Sequence, residues 1–167
     1  MNNFSENQTR VWRSVAIFNN GDNFAETGWV LRTDIFGDQH QRPYKTWYNL
    51  GVPHEEIITD VWFSPGTTHE FKVHDQNGDQ NWSFAYDGTP FPSGNEPMAM
   101  TQGTPISEAE RRCTDDSLRA NFSSLNKINC QNCSWVAYVD VEKYINTTNN
   151  WKFCRRSDTR YEVLKTC

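Results

Sequence analysis

A chain of 167 residues is long enough to close one hydrophobic core, and its formal net charge of −5 disfavours nucleic acid as a partner. Binding phosphates calls for a basic face, whereas Lys and Arg here are scattered, with only Arg111-Arg112 and Arg155-Arg156 adjacent. No run approaches about twenty apolar residues, so no membrane insertion is expected.

The first residues, Met1-Asn2-Asn3-Phe4-Ser5-Glu6, have neither the basic start nor the apolar run of a leader, so the chain reads as a mature form or a piece of a longer precursor. Hydrophobic residues are only 36% of the chain, but seven Trp, ten Phe and six Tyr supply large buried area per residue.

In chain order the pattern predicts strands over 10–18, 24–36, 44–50, 57–63, 69–74, 82–86, 98–106, 135–141, 151–155 and 161–164. Turn chemistry separates them at Asn20-Gly21-Asp22, Phe36-Gly37-Asp38, Pro65-Gly66 and Asn77-Gly78-Asp79. Around the last turn, His69, Phe71 and Val73 alternate with polar residues, as do Trp82, Phe84 and Tyr86. That is an antiparallel hairpin with one side buried. The one helical possibility is 107–125, capped by Ser107 and Glu110, but 106–112 reads equally well as a strand, which leaves 115–125 as a short helix or loop. Repeats, low-complexity tracts and linkers are absent from the sequence, so one domain over 1–167 is the simplest partition.

Many short strands at regular spacing predict an all-β, antiparallel, concanavalin-like β-sandwich of jelly-roll type. The cysteines Cys113, Cys130, Cys133, Cys154 and Cys167 lie in the C-terminal third. This clustering predicts a disulfide-stapled C-terminal segment built from Cys113, Cys130, Cys133 and Cys154, with Cys167 left to pair with another chain or stay free. One CXXC without a second does not make a zinc signature, and the four histidines lack zinc-enzyme spacing, so no metal and no cofactor is expected. Asp75-Gln-Asn-Gly-Asp79 departs from a calcium loop in the place of its glycine and reads as a turn. No phosphate loop or GXSXG elbow occurs. Asn-X-Ser/Thr triplets at Asn7, Asn81, Asn121, Asn132 and Asn146 are candidate glycosylation sites. With the cysteines they point to a secreted, extracellular protein.

The ionisable candidates begin with Glu26. Alternation puts Phe24, Glu26, Gly28 and Val30 on one face, so this carboxylate keeps apolar company and is paired, held with a raised pKa or faces a cleft. Glu108 and Glu110 lie two apart, sharing a face if their segment is a strand. A carboxyl pair with separated proton affinities is the minimum kit for general acid–base hydrolysis.

Phe24-Ala-Glu-Thr-Gly-Trp29, followed by Tyr44-Lys-Thr-Trp-Tyr48, resembles the glutamic peptidases of eqolisin and neprosin type, and Ser107-Glu-Ala-Glu110 resembles the strand bearing their second glutamate. The resemblance spans roughly residues 10 to 113 and implies a secreted lectin-like sandwich. It places Glu26 at the eqolisin glutamine position and makes Glu110 the preferred second carboxylate, with Glu108 in reserve. Two features depart from the family: the strands preceding the glutamine strand are largely missing, and Arg111-Arg112 replace the apolar residues expected after the second glutamate.

The competing reading is a non-catalytic extracellular binder of a glycan or of a cell-surface protein or peptide. Trp29, Trp47 and Tyr48 would then stack on sugar rings, whereas Trp62 and Trp82 read as packing residues. The sequence makes this binder the leading expectation, the acid-active hydrolase its rival, and an assembly subunit linked through Cys167 the third.

Overall fold

The computed structural model describes residues 10–75, 77–112, 120–123, 126–127, 136–137, 152–157 and 160–164, and the side chains of 11–75 and 77–107. The chain gathers into two compact units, Met1–Cys113 and Thr114–Cys167.

In the first unit β1 (Arg10–Asn20) and β2 (Asn23–Arg32) form a hairpin, followed by the single turn α1 (Thr33–Phe36). β3 (Gln41–Asn49) and β4 (Val52–Ile57) form a second hairpin, and β5 (Phe71–His74) and β6 (Asn81–Tyr86) a third. The short β7 (Thr89–Pro90) and β8 (Glu96–Pro97) flank β6, and β9 (Thr104–Arg112) returns to pair with β1. One sheet runs β4-β3-β2-β1-β9, wholly antiparallel; the other is built on β5, β6 and β7, with β8 also paired to β6. β5 and β6 pack across β1 and β2, which makes the unit an antiparallel β-sandwich.

The turns form for local reasons. Asn20 Oδ1 accepts the amides of Asp22 at 2.9 Å and Asn23 at 3.0 Å, closing the first hairpin. Gly37 ends α1 at φ 71°, a left-handed position that glycine adopts without penalty. Asp75 accepts the amides of Gly78, Asp79 and Gln80 at 2.8 to 3.2 Å, so its carboxylate is committed to the turn.

Three expected elements differ, and one strand forms that was not expected. β4 carries Pro53-His54-Glu55-Glu56, without strand-like alternation of apolar residues, and forms because β3 offers an edge to pair with. The strand expected over 57–63 shrinks to a bridge between Gln41 and Phe63, because its residues serve the core as a loop. Of the strand expected over 98–106 only 104–106 form, as the start of β9, while 98–103 run as a loop that buries Met98 and Met100. Residues 33–36, read as the end of a strand, turn into α1.

The core lies between the sheets: Ala25, Trp47, Ile58, Val73, Trp82, Phe84, Phe91, Met98 and Met100, with Val15, Ile17, Val61 and Tyr86 against them. Trp82 is core as expected, and its Nε1 donates to the Met100 carbonyl at 2.9 Å. Trp62, expected to pack, is instead 55% exposed and stacks on His40 with ring centroids 5.0 Å apart.

In the second unit β10 (Ala120–Ser123), β14 (Arg160–Leu164) and β13 (Lys152–Ser157) form one antiparallel sheet in that order. β11 (Asn126–Lys127) pairs with β12 (Val136–Ala137). Residues 115–125, read as helix or loop, thus include a strand. Cys113, Cys130, Cys133 and Cys167, and the Cys154 side chain, lie outside the described residues, as do Asn7, Asn132, Asn146 and the Asn121 side chain. Asn81 is exposed at the start of β6.

Candidate active site on the β1–β2–β3 face

Antiparallel register fixes which residues meet across a sheet. Glu26 sits between Ala16 of β1 and Thr46 of β3, and Ala16 in turn faces Ile106 of β9. The next row on this face reads Glu108, Ser14, Gly28, Tyr44, Ile57, and the row beyond it Glu110, Trp12, Val30, Arg42. Glu108 is therefore two strands and one row from Glu26, and Glu110 two strands and two rows. From ordinary strand spacing the Cα separations are roughly 12 and 17 Å. The register brings Glu108, the reserve candidate, nearer to Glu26 than Glu110.

Glu26 is 6% exposed, and Tyr44 is buried beside it with its hydroxyl donating to Glu26 Oε1. Tyr44 is held in turn through its carbonyl, which accepts from Thr27 Oγ1 at 2.9 Å. Ser14, 2% exposed, has no hydrogen-bond partner for its Oγ among the described residues. Between them, Gly28 is where β1 and β2 close up. A Cβ there would collide with the Arg13 carbonyl oxygen and come within 2.7 Å of Ser14 Cα, so only glycine fits.

Two buried arginines occupy the far end of the face. Arg32 binds Asp34 through Nε at 2.8 Å and Nη2 at 2.7 Å, and Arg42 grips both Asp38 oxygens at 2.7 Å while lying 4.3 Å over the Phe36 ring. The Arg42 fork, helped by the His40 amide, holds the Asp38 carboxyl well below the usual range, and Asp38 raises Arg42 reciprocally. These pairs tie the 33–40 segment to the ends of β2 and β3.

The opposite face of the same strands turns into the core. There Lys45 is 0% exposed, and its Nζ donates to Glu96 at 2.6 Å and the Gly94 carbonyl at 3.1 Å, with Glu56 at 3.3 Å. Trp47 and Phe84 lie 4.8 and 5.0 Å from the same cation.

The proposed aromatic platform is divided between the two faces. Trp47 is 9% exposed within the core, and Trp29 shares its face, under Arg13 at 4.8 Å. Tyr48 is on the Glu26 face, stacked on Phe24. Burial pushes the Arg13 guanidinium down to about 10. Among the described residues no group of three His, Cys, Asp or Glu is placed to hold a metal ion, and no helix is long and apolar enough to cross a membrane. A shallow concavity of about 370 Å³ lies elsewhere, beside Asn49, Leu50, Gln80, Asn81 and Met98.

Sequence reading passed over Tyr44 as a partner of Glu26, Lys45 as a buried cation, and Ser14 altogether. Tyr44 was visible only as part of a motif, Ser14 carried no signal, and the pairing register is what places both beside Glu26.

No family model and no curated protein sequence matches this chain. Among solved structures it is similar to the crystal structure of aspergilloglutamic peptidase from Aspergillus niger, at a TM-score of 0.64 over 93% of this chain and 98% of that chain, with 15% identity. At that identity the likeness is one of fold, and the fold it shows is that of a glutamic peptidase.

Proposed function

We propose that this protein is an acid-active hydrolase of peptide bonds of the glutamic-peptidase kind, with Glu26 as one of two working carboxyl groups. The observation that carries the reading is a buried glutamate bonded by a buried tyrosine, on a sheet face whose register runs through Ser14 to Glu108. Buried carboxylates are costly to keep, and where they occur among polar partners they are found disproportionately at working sites. The fold shared with a glutamic peptidase supports the same reading.

In this mechanism one carboxyl group, protonated, donates to the scissile carbonyl oxygen while the other, ionised, takes a proton from water. The water oxygen bonds to the carbonyl carbon. The tetrahedral intermediate then collapses: the C–N bond breaks as the amine takes the proton that the ionised carboxyl group drew from water, and a hydroxyl of the intermediate returns its proton to the other. Glu108 is the second carboxyl group by register, and Glu110 is the alternative that the family resemblance prefers. Secretion belongs to the same proposal and rests on the sequons and clustered cysteines. The glycan-binding reading has no corresponding support, since its three rings do not share a face.

The test is digestion of a denatured protein substrate by purified protein between pH 2.5 and 7. Activity confined to the acid range, lost in Glu26→Ala and in one of Glu108→Ala or Glu110→Ala, is the expected result. No cleavage at any pH by correctly folded protein refutes the proposal.

A further inference from the structure

We infer that Ser14 is a positioning residue of this site, its hydroxyl seating the water that Glu26 polarises; the inference rests on the hydrolase reading for its role, though not for its geometry. Ser14 Oγ is buried and, like Arg13 Nε, has no hydrogen-bond partner among the described residues, whereas Glu26, Arg32, Arg42, Tyr44 and Lys45 all have partners. A buried hydroxyl left unpaired is destabilising, and an alanine, such as Ala16 two residues on, would fill the same place without that penalty. The hydroxyl therefore calls for an occupant that can hydrogen-bond.

The register says which one. Ser14 faces Gly28, so Glu26 is its diagonal neighbour across β1 and β2, with Cα atoms about 7 to 8 Å apart. One water with two hydrogen bonds of about 2.8 Å spans what remains between the two side-chain oxygens. A carboxylate has acceptor sites beyond the one Tyr44 uses, so Glu26 can take a proton from that water while Tyr44 holds its other oxygen. The constriction at Gly28 presses β1 against β2 at this row and so fixes the serine relative to the glutamate. In the reaction the serine proton stays on Ser14: the water's oxygen attacks, its proton passes to the carboxylate, and Ser14 supplies only a hydrogen bond that aims it.

The experiment is a high-resolution crystal structure at acid pH, together with Ser14→Ala and Ser14→Thr compared with wild type in thermal melting and in peptide hydrolysis. The expected result is an ordered water within hydrogen-bond distance of both Ser14 Oγ and a Glu26 oxygen. Ser14→Ala should then melt lower and lose roughly tenfold or more in kcat at unchanged KM. Ser14→Thr, which keeps the hydroxyl, should recover part of it. If no water touches Ser14 Oγ, or Ser14→Ala melts at or above wild type, the inference is overturned whatever the activity. Full kcat in Ser14→Ala overturns the positioning role. If the water is present and its loss lowers the melting temperature in a protein that cleaves nothing, the water seat stands and the hydrolase reading falls.

Discussion

The two faces of β1, β2 and β3 bury charge in opposite ways. On the core face, Lys45 has a carboxylate, a backbone carbonyl and a second carboxylate around its ammonium group, with Ser93 Oγ touching both acids at 2.6 and 2.8 Å. Its surroundings complete it, and it acts as a tie between β3, β4 and the segment before β8. On the other face, Glu26 is held by a tyrosine and adjoins a serine whose hydroxyl has no partner among the described residues. A closed polar network gives rigidity; an incomplete one leaves hydrogen-bonding capacity for a water or substrate. The difference teaches where to look for chemistry, because burial alone marks both places equally.

Breaking the closed side should have the largest structural effect. Lys45→Ala leaves Glu56 and Glu96 facing each other without their cation, and should cost about 3 to 5 kcal/mol in urea denaturation, with Lys45→Met plus Glu96→Gln recovering part of it. If Lys45→Ala costs under about 1 kcal/mol, the network is not the tie described. Glu26→Ala should do the reverse, leaving the fold intact by circular dichroism while lowering hydrolysis by about 10² to 10⁴-fold. Gly28→Ala tests the constriction between the faces. The added methyl must push β1 from β2, at about 1 to 3 kcal/mol in the same denaturation assay, with activity reduced in the protein that remains folded.

The smallest effect is the pH response of the Asp38–Arg42 pair. Asp38 is held below its unfolded value, so its contribution is fully present above about pH 4 and is lost as pH falls through the depressed folded value. The stability difference between wild type and Asp38→Asn should therefore be flat from pH 7 to about 4 and narrow only below that. A difference that already vanishes at pH 5 shows that the pair does not form in solution. His74 runs the other way. Burial first and Lys72 second lower its proton affinity, so the folded state loses stability as pH falls below about 6.5.

The amino-acid sequence by itself determined the all-β class and the hairpins closed at Asn20-Gly21 and Asn77-Gly78. These depend on alternation and on residues that adopt turn geometry locally. It also determined that Glu26 would share a face with Phe24, Gly28 and Val30, since a strand's period of two settles that without knowing its neighbours. Only the tertiary structure decided that Pro53-His54-Glu55-Glu56 pairs as β4, because an edge strand takes its order from the partner it finds. Only it divided the aromatics between core and surface, leaving Trp47 inside and Trp62 out. Register decided the rest. Which residues of β1, β3 and β9 lie beside Glu26 depends on how separate segments align, a quantity that no local pattern contains, and that alignment brought Tyr44, Ser14 and the row of Glu108 to the site.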